Sequence, residues 1–227
     1  MEPERKSIVS DAEIYLVKTY LTKEQADNIL LELNDDTKFK KPKLYFYDHD
    51  KNEIVERKGW RSSYWFGEHA QSSQSCNNYI INNLGEKIKI PTDFVDAYPF
   101  IPSILQLKEQ IEHEFDVQFN SCLVGKFAAP DNKIGFHSDA SPNMGEDPYI
   151  ASVSFGKSRK FILKKHKNYG KEKVTIILEH GDLLLMRKNA NRKYLHMVPA
   201  DKDCNAENFR INLTFRNYTY DQEEIDH

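Results

Sequence analysis

The second half of the chain carries the pattern that most limits its fold. From Cys122 to Arg216, about eight short runs with strand-like composition follow one another, separated by turn sequences such as Pro130-Asp131-Asn132 and Gly181-Asp182. Short strands at this spacing, without helical patterns between them, are typical of a sandwich, a jelly roll or a small barrel. The sequence therefore predicts a β core built mainly from the second half of the chain.

The first half predicts two helices. Thr22, followed three residues later by Gln25, forms a capping-box pattern, and apolar residues then recur at helical spacing from Ala26 to Leu33. A second helix is predicted from about Ser103 to Phe115. We therefore predict an α+β protein with a β core. The predicted strands are Lys43–Tyr47, Ile54–Glu56, Arg61–Phe66, Cys122–Phe127, Ile134–Asp139, Ile150–Phe155, Lys160–Leu163, Val174–Leu178, Leu183–Met186, Tyr194–Val198 and Phe209–Arg216.

Length and composition narrow the class of protein. A chain of 227 residues with 39% apolar residues can bury a sizeable core, and its 12 Tyr and 13 Phe argue against wholesale disorder. The sequence contains neither a membrane-spanning apolar run nor a charged-then-apolar secretion signal, so we expect an intracellular protein, cytoplasmic or nuclear, and favour a monomer. The expected organisation is a flexible segment over residues 1–13, a single domain over residues 14–218 and a flexible tail over residues 219–227.

Potential metal ligands occur at two places in the predicted β region. His137 and Asp139 are two residues apart on a predicted strand, so their side chains point to the same face, and His196 lies in another strand-like run. Two histidines and one carboxylate on one face of an octahedron hold iron(II) in non-haem oxygenases and leave positions for a co-substrate and O₂. A His-x-Asp pair alone is a weak signal, and His196 alone is compatible with a structural role. Their order on strands of one region favours a metal site.

The last predicted strand separates its residues strictly between two faces. Ile211, Leu213 and Phe215 point one way, whereas the polar residues Arg210, Asn212, Thr214 and Arg216 point the other way. This alternation is typical of a half-exposed strand with its polar side in water. The alternative is that the polar side faces a cavity, where the arginines would bind a dicarboxylate through bidentate contacts.

An ordered set of short sequences extends over about residues 42 to 218 and is similar to a known enzyme family. The matching stretches are 134–139, 148–156, 180–186, His196 and Arg210–Arg216, with a looser match at Arg61–Glu68. They resemble the AlkB family of 2-oxoglutarate- and Fe(II)-dependent dioxygenases. The resemblance implies a double-stranded β-helix (jelly-roll) core with flanking N-terminal helices. It also implies oxidative demethylation of N-alkylated bases in DNA or RNA, with Fe(II), 2-oxoglutarate and O₂.

The resemblance assigns roles to six residues. His137, Asp139 and His196 would be the catalytic iron ligands. Arg210 would hold the distal carboxylate of 2-oxoglutarate, while Asn212 and Arg216 would contact the co-substrate nearer the metal. The six assigned residues are thus His137, Asp139, His196, Arg210, Asn212 and Arg216.

The chain departs from the family in the strand before the His-x-Asp pair. Family members often carry Asn-x-Tyr there, and both side chains bond the co-substrate, but this chain has Gly125 and Phe127. Co-substrate binding is therefore expected to be weaker or rearranged, because losing a hydrogen bond to a charged group costs about 1.5–3 kcal/mol.

Other departures concern the substrate. The acidic residue that follows His-x-Asp in nucleic-acid-repairing members is replaced by Ala140 and Ser141, and the stacking aromatics fall in the Ser-rich stretch 72–75. The alternatives are therefore the same chemistry on a protein, lipid or small molecule, or a non-enzymatic binding module on this scaffold.

Some residues nevertheless point to nucleic acid. Basic clusters near residues 157–173 and 187–193 would contact phosphates of DNA or RNA, or would form a solvated lysine surface. The aromatic run at residues 64–66 would stack on a base, or would pack in the core. The candidate substrate-binding residues are Arg61, Tyr64, Trp65, Phe66, Lys164 and Lys165.

Overall fold

The structure is a computed structural model that describes residues 7–67, 79–89, 97–139, 144–145, 148–187 and 189–219. Fifteen strands and three helices follow one another in these ranges. In chain order they are β1 Glu13–Val17, α1 Lys23–Leu33, β2 Lys43–Asp48, β3 Glu53–Lys58, β4 Ser62–Gly67, β5 Tyr79–Ile81, β6 Lys87–Lys89, β7 Ala97–Tyr98, α2 Pro102–Phe115, β8 Ser121–Phe127, β9 Ile134–His137, β10 Ile150–Gly156, β11 Arg159–Lys165, β12 Lys173–Leu178, β13 Leu183–Arg187, α3 Ala190–Lys193, β14 Tyr194–Val198 and β15 Arg210–Arg216.

Two sheets built mainly from the second half of the chain form the core. The larger sheet has seven strands in the order β1-β13-β10-β15-β8-β4-β7, and only the short β4–β7 pair is parallel. The smaller sheet has four antiparallel strands in the order β12-β11-β14-β9. Side chains from both sheets share one apolar cluster, in which Ile150 and Leu184 of the larger sheet join Phe161 and Val198 of the smaller one. The predicted jelly-roll core is therefore confirmed.

Helices α1 and α2 cover the other face of the larger sheet. The capping box predicted at the start of α1 is present, with Thr22 Oγ1 accepting from the Gln25 amide at 3.3 Å. The helices bury one apolar stripe each, and these stripes pack on the apolar side of β15. The buried stripe residues are Ala26, Ile29 and Leu33 in α1 and Ile104, Leu107, Ile111 and Phe115 in α2. Because the helices occupy this face, the polar side of β15 is turned toward the smaller sheet.

The expectation of a flexible segment over residues 1–13 is wrong for residues 7–13. Val9 and Ala12 are buried in the core, and β1 extends the larger sheet by pairing with β13. The amide of Ile14 donates to Ser7 Oγ at 3.2 Å, which holds the segment against the strand. Residues 1–6 and 220–227 lie outside the described residues. None of the described helices is long and apolar enough to cross a membrane.

The packing on β15 predicts a clear difference between two leucines. Leu213 is fully buried between the larger sheet and the helices, so Leu213→Ala should lower the free energy of unfolding by about 2–5 kcal/mol through lost burial and a residual cavity. Leu31 on α1 is 77% exposed, so Leu31→Ala serves as the control and should change stability by less than about 0.5 kcal/mol. Urea unfolding measures both, and equal effects would contradict the placement of β15.

Candidate active site

A cleft opens between the two sheets, with about 470 Å³ of empty space counting its mouth. Strands of both sheets line it, because β8, β10, β13 and β15 supply one wall and β9, β11 and β14 supply the other. All six residues to which the sequence assigned iron or co-substrate roles line this cleft, together with Arg61. The cleft therefore brings together residues that are up to 155 positions apart in the sequence.

Two imidazoles and one carboxylate converge at the side of the smaller sheet. His137 at the end of β9 is paired in register with His196 on β14, and their ring centroids are 4.2 Å apart. Asp139 follows β9 and lies between them, with one oxygen 3.6 Å from His137 Nε2 and the other 3.8 Å from His196 Nε2. The ligand atoms of all three residues lie within 4.8 Å of one another, which is close enough for one metal ion to contact all three.

Each histidine is held with Nε2 toward the carboxylate. The Nδ1 of His137 lies 2.9 Å from the Gly135 carbonyl oxygen, so Nδ1 carries the proton there and Nε2 keeps a lone pair. His196 is buried with its ring stacked on Phe161, at 5.3 Å between centroids and 18° between planes. Burial is the largest of the effects that lower the pKa of His196 to about 4. Asp139 raises this pKa, whereas His137 and Arg216 lower it. The ring of His196 is therefore neutral at pH 7, as a metal ligand must be.

The carboxylate of Asp139 is kept ionised by its neighbours. Burial alone would raise its pKa, but Arg216 and the two imidazoles outweigh burial and hold the pKa well below its usual range. Arg216 Nη2 donates to Asp139 Oδ1 at 2.9 Å. The main chain is also fixed, because the Asp139 amide donates to Asn191 Oδ1 at 3.3 Å. Two imidazole nitrogens and one anionic oxygen are a donor set that suits iron(II).

The opposite end of the cleft is cationic. Arg210 is 2% exposed and donates to Ser154 Oγ at 3.0 Å and to the side-chain oxygen of Asn212. Asn212 in turn accepts from Ser152 Oγ at 3.0 Å and donates to Thr214 Oγ1 at 2.7 Å. These contacts follow from the pairing of β10 with β15.

Arg210 has no anionic partner among the described residues, and its Nε makes no hydrogen bond with any of them. Burial is the main cause that lowers the pKa of Arg210 to about 9, and the positive charges of Arg159 and Arg61 add to this effect. Of the described residues that line the cleft, Arg61, Arg210 and Arg216 are cationic and Asp139 is the one carboxylate. A buried, unpaired guanidinium is costly, so the cleft is suited to an added anion. The residues present therefore fit a dicarboxylate next to a metal.

Comparison with known proteins agrees with this geometry. The model of the 2OG-Fe(II) oxygenase superfamily matches residues 13–216. The chain belongs to this superfamily. Within the oxygenases, it is 38% identical over 122 residues to the bovine alpha-ketoglutarate-dependent dioxygenase alkB homolog 3, and 36% identical over 135 residues to the DNA oxidative demethylase ALKBH2 of Arabidopsis thaliana. The matched segments cover 51% and 48% of this chain, but only 42% of each relative.

A solved structure shares the fold of this chain. The structure of OsALKBH1 superposes with a TM-score of 0.60 and 19% sequence identity, covering 92% of this chain and 99% of that one. The jelly-roll assignment thus extends over nearly all of the chain. The AlkB resemblance of the sequence is confirmed by the relatives together with the superfamily match.

Three aromatic residues predicted to bind substrate lie in the core of the protein instead. Tyr64 and Phe66 are 0% and 1% exposed and pack on the helix side of the larger sheet, where the Tyr64 hydroxyl donates to the Leu33 carbonyl at 3.1 Å. Trp65 points to the other face but is 4% exposed, with its ring 5.9 Å from the guanidinium of Arg216. Their role is packing, and the prediction that they stack on a base is wrong for this structure.

The basic clusters are partly neutralised within the fold. Lys165 pairs with Asp11 at 2.9 Å and Lys193 reaches the same carboxylate at 3.4 Å. Asp201 pairs with Lys157 at 3.4 Å and with the buried Arg159 at 3.7 Å. Lys165 is thus engaged by a partner that the sequence did not indicate. Lys164 is exposed, with its ammonium 5.5 Å from the ring of Phe136.

Sequence reasoning missed Asn191, which holds the main chain of the candidate metal ligand Asp139. It lies in α3, a single turn that had been interpreted only as part of a basic cluster. The burial of Asn191, at 5% exposure, is the feature that distinguishes it from its charged neighbours. Burial of this kind depends on the tertiary fold, so the local sequence carried no signal for it.

The candidate metal centre predicts a specific loss of metal binding. Mutating a residue that hydrogen-bonds to a metal ligand typically weakens metal binding by about 10–100-fold. Removal of the ligand itself should cost more, so His196→Ala should weaken Fe(II) or Co(II) binding by at least about 100-fold. Anaerobic Co(II) titration followed by absorbance measures this. His113 is exposed on α2, so His113→Ala is the matched control and should bind metal like the native protein. Native-like Co(II) affinity in His196→Ala would contradict the assignment.

Proposed function

We propose that this protein is an Fe(II)- and 2-oxoglutarate-dependent dioxygenase that oxidatively demethylates N-alkylated bases in DNA or RNA. The observation that carries the proposal is the convergence of His137, Asp139 and His196 beside an unpaired cationic pocket, in a chain of the 2OG-Fe(II) oxygenase superfamily. The names of its relatives, an alkB homolog dioxygenase and a DNA oxidative demethylase, support this choice of substrate. Such substrates would place the protein in the cytoplasm or the nucleus.

In this proposal, His137, Asp139 and His196 hold the iron, and Arg210, Asn212 and Arg216 bind 2-oxoglutarate. The bound metal and co-substrate would supply O₂ activation: one oxygen atom enters the N-methyl carbon, and the other enters the succinate formed as CO₂ is lost. The resulting N–CH₂OH group would then break its C–N bond, releasing formaldehyde and restoring the base. Residues 14–218 would form the single catalytic domain.

The residues of the chain would contribute position and environment. The guanidinium of Arg216 holds the Asp139 oxygen at 2.9 Å, so the carboxylate cannot rotate freely when it binds a metal. Phe127, Phe161 and Met186 line the cleft with apolar surface, which excludes water and strengthens the polar contacts inside. The apolar wall would thereby protect the oxidation step from side reactions with water.

One exposed aromatic residue is better placed for substrate than the buried run at 64–66. Trp60 is 48% exposed and directly precedes Arg61, which lines the cleft. Its ring also lies near an ammonium group, since Lys133 is 4.7 Å from Trp60. An aromatic ring beside a cation suits a nucleotide, because bases stack on rings and phosphates attract lysines.

One observation favours a second substrate class. Asp11 and Asp201 neutralise several residues of the basic clusters, which reduces the positive potential available for phosphates. The same chemistry on a protein, lipid or small molecule is therefore the second candidate. Succinate formation that is stimulated by a methylated peptide or small molecule, and not by any oligonucleotide, would support it over the first.

The proposed activity predicts coupled product formation. Protein loaded with Fe(II) and supplied with 2-oxoglutarate and O₂ should release formaldehyde and succinate in about equal amounts from N-methylated single-stranded oligonucleotides, because each demethylation consumes one co-substrate. Unmethylated oligonucleotides are the control and should release no formaldehyde. Absence of turnover on every methylated base, with bound iron verified by elemental analysis, would overturn the proposal.

The exposed ring of Trp60 predicts a selective loss of oligonucleotide affinity. Base stacking contributes about 1–3 kcal/mol, so Trp60→Ala should raise the Kd for a single-stranded methylated oligonucleotide by roughly 5- to 150-fold. Fluorescence anisotropy measures this. Tyr169→Ala is the matched control, because Tyr169 is 42% exposed but does not adjoin a cleft residue. If both changes affect binding equally, the assignment of Trp60 to substrate binding fails.

A further inference from the structure

Arg61 enters the cleft across Gly125, in space that a side chain at position 125 would occupy. Arg61 directly precedes β4, which pairs with β8 so that Ser63 lies opposite Gly125. A Cβ atom added at Gly125 would lie 2.1 Å from Arg61 Nη1 and 3.2 Å from its Cζ. Gly125 does not have a positive φ, so its backbone conformation does not call for glycine. The close approach of the guanidinium is what requires the missing side chain.

The guanidinium of Arg61 has no anionic partner in the described part of the chain. No hydrogen bond or ion pair joins it to another described residue, and its Cζ lies 5.6 Å from the ring of Phe127. The same ring is approached by Arg159 at 5.2 Å and by Arg210 at 5.4 Å. Burial is the main cause that lowers the pKa of Arg61 to about 10, and the charge of Arg216 adds to this effect. Asp139 acts in the opposite direction. Arg61 remains a cation at pH 7, directed into a pocket that already holds two others.

This excess of positive charge identifies the chemical class of the ligand. Arg216 is neutralised by Asp139, but Arg61 and Arg210 have no carboxylate within ion-pair distance among the described residues. Both unpaired guanidinium groups lie near the ring of Phe127, with Cζ at 5.6 Å for Arg61 and 5.4 Å for Arg210. Such a pair suits a small dianion, which can offer one carboxylate to each arginine or share one carboxylate between them. The ring of Phe127 supplies no competing acceptor.

We propose that Arg61 is a third co-substrate-binding arginine, which binds 2-oxoglutarate directly and replaces the side chain that Gly125 lacks. This inference rests on the proposed function, since 2-oxoglutarate is the dianion that the proposed reaction consumes. Arg61 and Gly125 act as a pair, because a Cβ atom at position 125 would displace the guanidinium from its present position. The pair accounts for co-substrate binding by a chain that also has Phe127 in place of a hydroxyl-bearing residue.

The test is calorimetric titration of 2-oxoglutarate into the Zn(II)-substituted full chain, in which O₂ chemistry does not proceed. Arg61→Ala should raise the Kd by about 10- to 100-fold, since it removes a charged hydrogen-bonding partner. Arg61→Lys keeps the charge but loses the planar fork and should show an intermediate Kd. Lys23→Ala, which removes an exposed cation on α1, is the matched control for long-range charge effects and should leave the Kd within about twofold.

A second variant series tests the pairing itself. Gly125→Asn should raise the Kd by at least about 10-fold in the native background, because the new side chain displaces the Arg61 guanidinium. In the Arg61→Ala background the same change should lower the Kd, because the amide then occupies the vacated space and can donate to a carboxylate. Thermal unfolding of each ligand-free variant verifies that the fold is retained.

The possible outcomes separate this inference from the proposed function. If the native Zn(II) protein does not bind 2-oxoglutarate, the proposed function fails. If the native protein binds it and Arg61→Ala binds it equally well, the inference about Arg61 fails while the proposed function stands. Loss of oligonucleotide affinity in Arg61→Ala, with an unchanged Kd for 2-oxoglutarate, would also overturn the inference and assign Arg61 to substrate binding.

Discussion

The ion pair between Arg216 and Asp139 is the contact on which the arrangement of the site depends. It joins β15 of the larger sheet to the residue that follows β9 of the smaller sheet, with 2.9 Å between the charged atoms and both side chains at most 10% exposed. A buried carboxylate beside two imidazoles is stable only when a cation compensates it. The same contact therefore keeps Asp139 ionised, fixes its position beside His137 and His196, and holds the two walls of the cleft together.

The alternation of β15 explains how one strand can serve both the core and the cleft. Ile211, Leu213 and Phe215 are fully buried against the helix side. The alternate residues of the strand line the cleft, and they are Arg210, Asn212, Thr214 and Arg216. A shift of one residue in the pairing of β15 with β8 and β10 would exchange the two faces. Packing of the helices thus sets the register that places Arg210 and Arg216 in the cleft. Stability and site geometry depend on the same pairing.

Some features of this molecule were accessible from sequence because they are local. The capping box at Thr22 and the alternation of β15 each depend on residues a few positions apart. The remaining features depend on distant partners. The sequence placed Tyr64 and Lys165 among substrate contacts, but Tyr64 bonds Leu33 and Lys165 pairs with Asp11, 154 positions away. Likewise β1 is a strand because it pairs with β13, some 170 positions later, and Arg61 reaches its position because Gly125 lies opposite β4.

The proposed site requires His137, Asp139 and His196 to hold one iron ion inside the cleft. Anomalous diffraction at the iron absorption edge, from crystals of the full chain grown anaerobically with Fe(II), tests this most directly. One strong anomalous peak is expected within coordination distance of both Nε2 atoms and an Asp139 oxygen. A well-ordered cleft with no peak between these three side chains, or with its iron bound elsewhere, would contradict the proposed site.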